Sequence, residues 1–324
     1  MEICRSRDGG ITWSPPNVVS DSDADDRNPA LGVTKQGSLI LVYAQCTNYD
    51  SEGRWQREPH VEPTAFPWRI MASRSHDGGL TWERSYAVQT GLPRAISPYG
   101  KIVTLKDGTL LMALYIQGNV PTGSLDRAYS VYVLRSNDEG LTWGGATKLA
   151  DGMYETGLLS LPNGDVLAAM RSNDDRSLST SHSHDGGLTW TELRAVTGRD
   201  EHPADLISLR NGDLLLTYGN RNPPYRIEGL ISRDGGHSWL DILLTFSGHL
   251  YGYTVGEARP YDLGYPSSAV QRSAGRGQGI TAYYYTPSLR GGTSYEARSY
   301  YAIAVVWDED ELLKAVARTM QAGR

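Results

Sequence analysis

The chain has 324 residues, 39% of them hydrophobic and 21% charged, with a formal net charge of −6. No basic cluster stands out, which argues against nucleic-acid binding. No apolar run approaches the ~18 residues that a membrane span needs, so no membrane insertion is expected. The two cysteines, Cys4 and Cys46, allow either one disulfide or two free thiols.

One short phrase, Ser-x-Asp-x-Gly-x-Thr/Ser-Trp, occurs five times, and we call each copy a box. The boxes are Ser6–Trp13, Ser75–Trp82, Ser136–Trp143, Ser183–Trp190 and Ser232–Trp239. Repetition at this spacing indicates a modular array such as a propeller. Within a box the Asp accepts backbone N–H groups and the Gly adopts a positive φ, so each box predicts a hairpin turn. We expect the box tryptophans to fill the core.

Between boxes, an apolar stretch, a Gly-containing turn and a second apolar stretch recur in order. The pairs are Asn28–Leu31 with Gly37–Tyr43, Pro98–Val103 with Asp107–Leu114, Glu155–Leu159 with Asn163–Met170, His202–Ile207 with Asn211–Tyr218, and Tyr265–Val270 with Gly279–Tyr284. Asp-Gly and Asn-Gly between such stretches predict hairpins. Each repeat therefore supplies four strands, which is one propeller blade.

The predicted fold is an all-β, six-bladed β-propeller with the first blade incomplete at the N-terminus. We expect a single domain over 1–324, with the last blade's third strand at Ala297–Trp307. A short helix is predicted over about 308–322, apolar at Leu312, Leu313, Val316 and Ala317.

In an up-and-down blade, the start of strand one and the end of strand two share a face, and the box turn lies on the opposite face. The boxes are therefore predicted to be structural. The other face collects arginines, tyrosines and a glutamate, which suit a small anionic or polyhydroxyl ligand. The residues at these positions are Asp26, Arg27, Gln45, Tyr99, Gln117, Tyr154, Glu155, Arg171, Glu201, His202, Asp205, Asn220, Arg221, Arg226, Tyr265 and Tyr283–Tyr285.

The boxes and their spacing resemble the sialidase (neuraminidase) superfamily over nearly the whole chain. Glu155–Arg171 matches the family's segment of Glu, strand, Asp-Gly-type hairpin, strand and Arg. Asn222-Pro-Pro-Tyr-Arg226 matches the next arginine segment, with Arg221 as a close competitor. Tyr265-Pro-Ser-Ser occupies the slot of the family's nucleophile, and Arg27-Asn-Pro resembles the opening of its second blade.

The resemblance implies an exo-acting glycosidase that releases a terminal acidic sugar with retention of configuration. Tyr265 would attack, Glu155 would accept its proton, and Arg171 with Arg226 or Arg221 would bind the sugar carboxylate. A neutral phenol is a suitable nucleophile here, because a carboxylate nucleophile would be repelled by the substrate carboxylate. This mechanism needs no cofactor or metal, and the expected partner is a glycan or small acidic sugar.

The sequence departs from the family in two places. The family's first triad Arg and its acid/base Asp precede the first box, where this chain has five residues. Two expectations follow: either the sequence starts late, or the protein does not use these two residues. The family's last hairpin typically ends Tyr-Glu, whereas this one ends Tyr283-Tyr-Tyr-Thr286. Asp50 and His202 are the replacement candidates for the acid.

Three hypotheses stay open: a sialidase, another propeller enzyme such as a rhamnosidase or uronate lyase, and a non-catalytic glycan-binding propeller. In the second, His202 or a tyrosine would be the acid/base. The resemblance favours an extracytoplasmic location, and the sequence leaves the oligomeric state open.

Overall fold

A computed structural model describes residues 1–47, 49, 67–118, 128–223, 225–240, 244–246, 262–273, 276–286 and 301–322. The chain divides into two compact units. Unit 1 comprises Met1–Cys4, Pro16–Asp174 and Ser181–Leu193, and unit 2 comprises Arg5–Pro15, Asp175–Thr180 and Arg194–Arg324. The expectation of one domain over 1–324 stays a prediction.

The strands form antiparallel sheets in sequence order. The first blade sheet contains β3 (Asp25–Val33), β4 (Leu39–Cys46), β5 (Trp68–Ser75) and β6 (Tyr86–Ala87). The second contains β7 (Ala95–Pro98), β8 (Val103–Thr104), β9 (Leu110–Gln117), β10 (Tyr129–Ser136) and β11 (Gly144–Asp151), with β7 and β8 both paired to β9.

The next two sheets have four strands each. The third contains β12 (Met153–Ser160), β13 (Val166–Ser172), β14 (Leu178–Ser183) and β15 (Arg194–Ala195). The fourth contains β16 (Glu201–Ser208), β17 (Leu214–Asn220), β18 (Arg226–Ser232) and β19 (Leu244–Thr245). Among the described residues, the fifth contains β20 (Asp262–Ser273), β21 (Arg276–Thr286) and β22 (Tyr301–Asp308), and it is followed by helix α1 (Glu309–Ala322).

The prediction of six blades is wrong, because the described part of the chain forms five blade sheets. The first box does not lie in a blade sheet. It connects β1 (Glu2–Ile3) and β2 (Asn17–Val18), which form a separate two-stranded sheet. A box specifies a hairpin turn, and a hairpin by itself does not require the two further strands that complete a blade.

The box turns have the predicted local structure. In the fourth box the Asp185 carboxylate accepts the backbone N–H groups of Leu188 at 3.0 Å and Thr189 at 2.9 Å, and the Thr189 hydroxyl at 2.6 Å. The prediction that all box tryptophans fill the core is wrong, since Trp143 is 6% exposed but Trp13 is 47% exposed. The Trp143 indole N–H also closes its turn by donating to the Gly140 carbonyl at 3.0 Å.

In three of the boxes, the second residue of the box connects the box turn to the hairpin that precedes it. His76 Nδ1 lies 2.9 Å from Ser38 Oγ, Asn137 accepts the Thr109 hydroxyl at 3.0 Å, and His184 Nδ1 lies 3.0 Å from Asp165. Side-chain contacts therefore link the two turns of a blade on the face that was predicted to be structural.

Replacing Asp234 by asparagine should destabilise the protein at neutral pH by about 1 kcal/mol, because hydrogen bonds to a charged acceptor are lost. Burial raises the pKa of Asp234, but hydrogen bonds from Ser238 and Ser232 outweigh it and hold the pKa at about 2, below the usual 3.8. A depressed folded-state pKa stabilises above the unfolded pKa, and this contribution is lost as pH falls through the folded value. Urea unfolding of both proteins should show the stability gap close between about pH 4 and pH 2; a constant gap would contradict this account.

Helix α1 packs its apolar side on the fifth sheet. Val316 is 4% exposed and belongs to a core cluster that includes Leu263 and Tyr283, whereas Ala317 is exposed. At the start of the helix, the fully buried Glu309 carboxylate accepts the Arg210 backbone N–H and the Arg272 guanidinium, both at 2.8 Å. These contacts hold the start of the helix against the turn that follows β16 and against β20.

Both cysteines are free thiols, Cys4 exposed and Cys46 buried. Among the described residues, no helix combines the length and the apolar character that a membrane crossing requires.

Candidate functional site

Four first strands carry the same irregularity near the end where the sequence predicts chemistry. On β3, β12, β16 and β20, two residues face a single residue of the second strand. The bulged pairs are Asn28-Pro29, Glu155-Thr156, His202-Pro203 and Tyr265-Pro266. Bulges of this kind redirect side chains and are frequent next to active sites.

Three of these bulges hold a non-glycine residue in the left-handed region. The φ angles are 53° at Asn28, 35° at Glu155 and 53° at Tyr265. Residues other than glycine rarely adopt such φ angles, and those that do are concentrated at functional sites. The pattern gives equivalent positions to the predicted base and nucleophile, and it adds Asn28, which the sequence analysis did not single out.

In unit 1, Glu155 and Arg171 form a buried ion pair. Arg171 Nη1 lies 2.6 Å from Glu155 Oε2, with only 9% and 10% of the two side chains exposed. The pair arises because β12 and β13 place Tyr154 opposite Arg171, one residue from Glu155. The guanidinium also lies over the Tyr154 ring at 4.5 Å, a cation–π distance.

Three tyrosine rings pack together beside this pair. Tyr154 lies 5.0 Å from Tyr129 and 5.9 Å from Tyr115, measured between ring centroids. Burial, and after it the negative charge of Glu155, raises the pKa of Tyr115 well above the usual 10.0. The Tyr115 phenol is therefore neutral near physiological pH.

Arg27, also in unit 1, interacts with groups that the sequence analysis did not use. Its guanidinium is hydrogen-bonded to Asp25 and to the Tyr49 hydroxyl, and lies over the Trp68 ring at 5.7 Å. The Tyr49 hydroxyl donates to Asp25 at 2.5 Å, and burial with this hydrogen bond raises the pKa of Tyr49 to about 12. Asp50, the weak acid candidate, lies outside the described residues.

In unit 2, Tyr265 lies beside Arg221. The Arg221 guanidinium lies over the Tyr265 ring at 5.9 Å, and its Nη2 is 3.2 Å from the Tyr284 hydroxyl. Its Nε donates to the Leu263 carbonyl at 3.1 Å, and the Tyr265 and Tyr284 rings are 5.5 Å apart. Tyr284 belongs to the run Tyr283–Tyr285, at the place where the last hairpin of the sialidase superfamily, which this sequence resembles, typically ends in Tyr-Glu.

Arg226 has a different environment in the same unit. Its Nε is hydrogen-bonded to Glu228, whose side chain is 2% exposed. Arg221 and Arg226 are thus distinguished by their partners, a tyrosine pair for Arg221 and a buried carboxylate for Arg226. The sequence alone left them as competitors.

His202 is fully buried, as is most of the strand that carries it. Nearby on β16 the Asp205 carboxylate accepts the Ser268 backbone N–H at 2.7 Å. Asp205 therefore serves as a structural acceptor between β16 and β20.

The structure thus brings together Glu155 with Arg171 in unit 1, and Tyr265 with Arg221 in unit 2. The sequence analysis missed Asn28, Asp25 and Glu228. Asn28 had a signal, the Asn-Pro that follows Arg27, which matches the Tyr-Pro and His-Pro of two other bulges. Within the described ranges, no group of three or more His, Cys, Asp or Glu residues could hold a metal ion.

Comparison with known proteins identifies the family. A model described as a BNR repeat-like domain matches residues 1–278. A sialidase of Bacteroides fragilis is 25% identical over 284 residues, 78% of this chain and 50% of that protein, so the chain spans about half the length of this relative.

Two solved structures share the fold. A Dyadobacter fermentans protein of unknown function has a TM-score of 0.71 at 22% identity, covering 95% of this chain and 83% of that one. The Hadza microbial sialidase Hz136 has a TM-score of 0.66 at 22% identity, covering 88% and 56%. Together these matches establish an all-β propeller fold. The family model matches most of the chain, and the repeated boxes and blade sheets are consistent with that match. The chain therefore belongs to the BNR repeat-like domain family.

Proposed function

We propose that this protein is a glycoside hydrolase of sialidase type that releases a terminal sialic acid or related acidic sugar with retention of configuration. The relatives named sialidases support the reaction class. The observation that carries the proposal is the unit 2 cluster, in which a tyrosine at a left-handed bulge lies beneath a guanidinium.

In this proposal Tyr265 is the nucleophile. As its oxygen bonds to the anomeric carbon, the phenol proton passes to a carboxylate base and the bond to the leaving group breaks. The leaving oxygen takes up a proton, and water then hydrolyses the tyrosyl–sugar intermediate. A phenol brings no charge of its own to an anomeric centre that carries a carboxylate, and tyrosine nucleophiles are known in sialidases. Arg221 and Arg226 supply the planar donors that recognise a carboxylate.

Glu155 has the chemistry of a proton acceptor. It is paired with Arg171, and this ion pair fixes the orientation of its carboxyl group. A carboxylate held in this way can accept a proton from a reacting hydroxyl group without reorganisation.

Hydrolysis of 4-methylumbelliferyl-α-sialoside, followed by fluorescence and by proton NMR of the released sugar, tests the proposal. We expect turnover and the α-anomer as the first-formed product. First formation of the β-anomer would contradict the tyrosine adduct. Binding of sialosides without turnover would favour the glycan-binding hypothesis, and turnover of only neutral glycosides would overturn the substrate class.

A further inference from the structure

The fourth sheet contains a buried carboxylate that the proposed chemistry does not use. Glu228 is 1% exposed and lies on β18. Its Oε2 accepts the Tyr218 hydroxyl at 2.8 Å and the Asn220 side-chain amide at 3.1 Å, and its Oε1 accepts Nε–H of Arg226. A buried carboxylate is costly unless it is paired and hydrogen-bonded, and here three donors meet that requirement.

The strand register produces this arrangement. Tyr218 pairs with Glu228 and Asn220 pairs with Arg226 across β17 and β18. Because residues two apart on a strand share a face, the four side chains form a two-by-two array on one side of the sheet. Burial, together with the hydrogen bond to Glu228, raises the pKa of Tyr218, so its hydroxyl remains a donor across the physiological range.

The array is asymmetric in its exposure. The Glu228 side chain is 2% exposed, while the Arg226 side chain is 26% exposed. A guanidinium has donors on Nε and on both Nη atoms in one rigid plane. A partner that binds Nε fixes this plane and leaves the edge formed by the two Nη atoms for a second, bidentate partner.

We propose that Glu228 is a positioning residue, which orients Arg226 to bind the carboxylate of an acidic sugar through its Nη edge. Tyr218 and Asn220 hold Glu228 in place. This inference rests on the proposed function, in which Arg226 contacts the substrate.

The test uses Glu228→Gln, Arg226→Lys and the double variant in the full chain. The readouts are the dissociation constant of 2,3-didehydro-2-deoxy-N-acetylneuraminic acid by calorimetry and the KM and kcat for 4-methylumbelliferyl-α-sialoside. We expect Glu228→Gln to raise Kd and KM about tenfold or more, with a smaller change in kcat. Arg226→Lys should have a similar effect, and the double variant should be no worse than Arg226→Lys, because both changes remove one oriented guanidinium.

The methyl ester of the same inhibitor separates positioning from a general structural effect. Since the ester lacks the anionic carboxylate, Glu228→Gln should leave its affinity unchanged. Glu83→Gln is the matched control, because Glu83 also pairs with an arginine, Arg74 Nε at 2.8 Å, but next to a box turn. It should leave Kd, KM and kcat as in the wild type.

Tyr218→Phe is the second variant should Glu228→Gln fail to fold. It removes one donor to the carboxylate and should raise Kd for the acid a few-fold, without effect on the ester. Unchanged Kd and KM in the folded variants, or an effect of Glu228→Gln that persists in the Arg226→Lys background, would overturn the positioning role alone. Absence of inhibitor binding and turnover in the wild type would overturn the proposed function, and the positioning role with it.

Discussion

Tyr265→Phe is expected to reduce kcat for 4-methylumbelliferyl-α-sialoside by about 10³-fold or more, since the variant lacks the oxygen that would bond to the anomeric carbon. The change removes one hydroxyl and keeps the ring that packs 5.5 Å from Tyr284. The fold and the affinity for the didehydro inhibitor should therefore be retained. Stopped-flow fluorescence would give kcat, and calorimetry would give the affinity.

Two further tyrosine variants make this result specific. Tyr284→Phe removes the hydroxyl that interacts with Arg221 at 3.2 Å, so it should weaken inhibitor binding more than it lowers kcat. Tyr301→Phe alters a 43% exposed tyrosine on the edge of the same sheet and should have no effect. Activity that survives Tyr265→Phe but is lost in His202→Ala would exclude Tyr265 as the nucleophile and favour the other propeller chemistries.

Glu155→Gln should destabilise the protein by about 3–5 kcal/mol, because it leaves the Arg171 charge buried without its carboxylate. Both side chains of this pair are about nine-tenths buried. The variant should also lose turnover, because the side-chain amide that replaces the carboxylate of Glu155 cannot accept a proton from a reacting hydroxyl group as that carboxylate would. Thermal and urea unfolding would measure the stability, and the same sialoside assay would measure the activity.

Two companion variants show whether burial is the cause. Glu83→Gln breaks a pair in which Glu83 is 38% exposed, and should cost about 1 kcal/mol or less. Glu155→Gln combined with Arg171→Met removes both charges and should recover much of the lost stability, while activity stays absent. Equal destabilisation by Glu155→Gln and Glu83→Gln would contradict the argument.

The blade strands could be predicted because their signals are local. Asn163-Gly and Asn211-Gly lie between apolar stretches, and both form hairpin turns with a Gly at positive φ. The apolar positions Leu312, Leu313 and Val316 likewise predicted a helix that packs on one side. The number of blades was not accessible in this way, because a box is complete within eight residues whether or not further strands pair with it.

The candidate site was predicted only as a set of residue types. Glu155 and Tyr265 were placed at strand starts, but nothing in the sequence showed that both occupy bulges with positive φ. Arg221 and Arg226 are five residues apart and could not be separated by pattern. Their partners, Tyr284 and Glu228, differ because cross-strand register decides which side chains meet.

By itself, the sequence determined the repeated turn, the strand pattern and the candidate site residues, since each of these can be recognised from residues within one hairpin. The tertiary structure decided the count of blade sheets, the bulges, the burial of the Glu155–Arg171 pair and the partner of each arginine. These features depend on register and packing between strands that are distant in the chain, and local propensity specifies neither the register nor the packing.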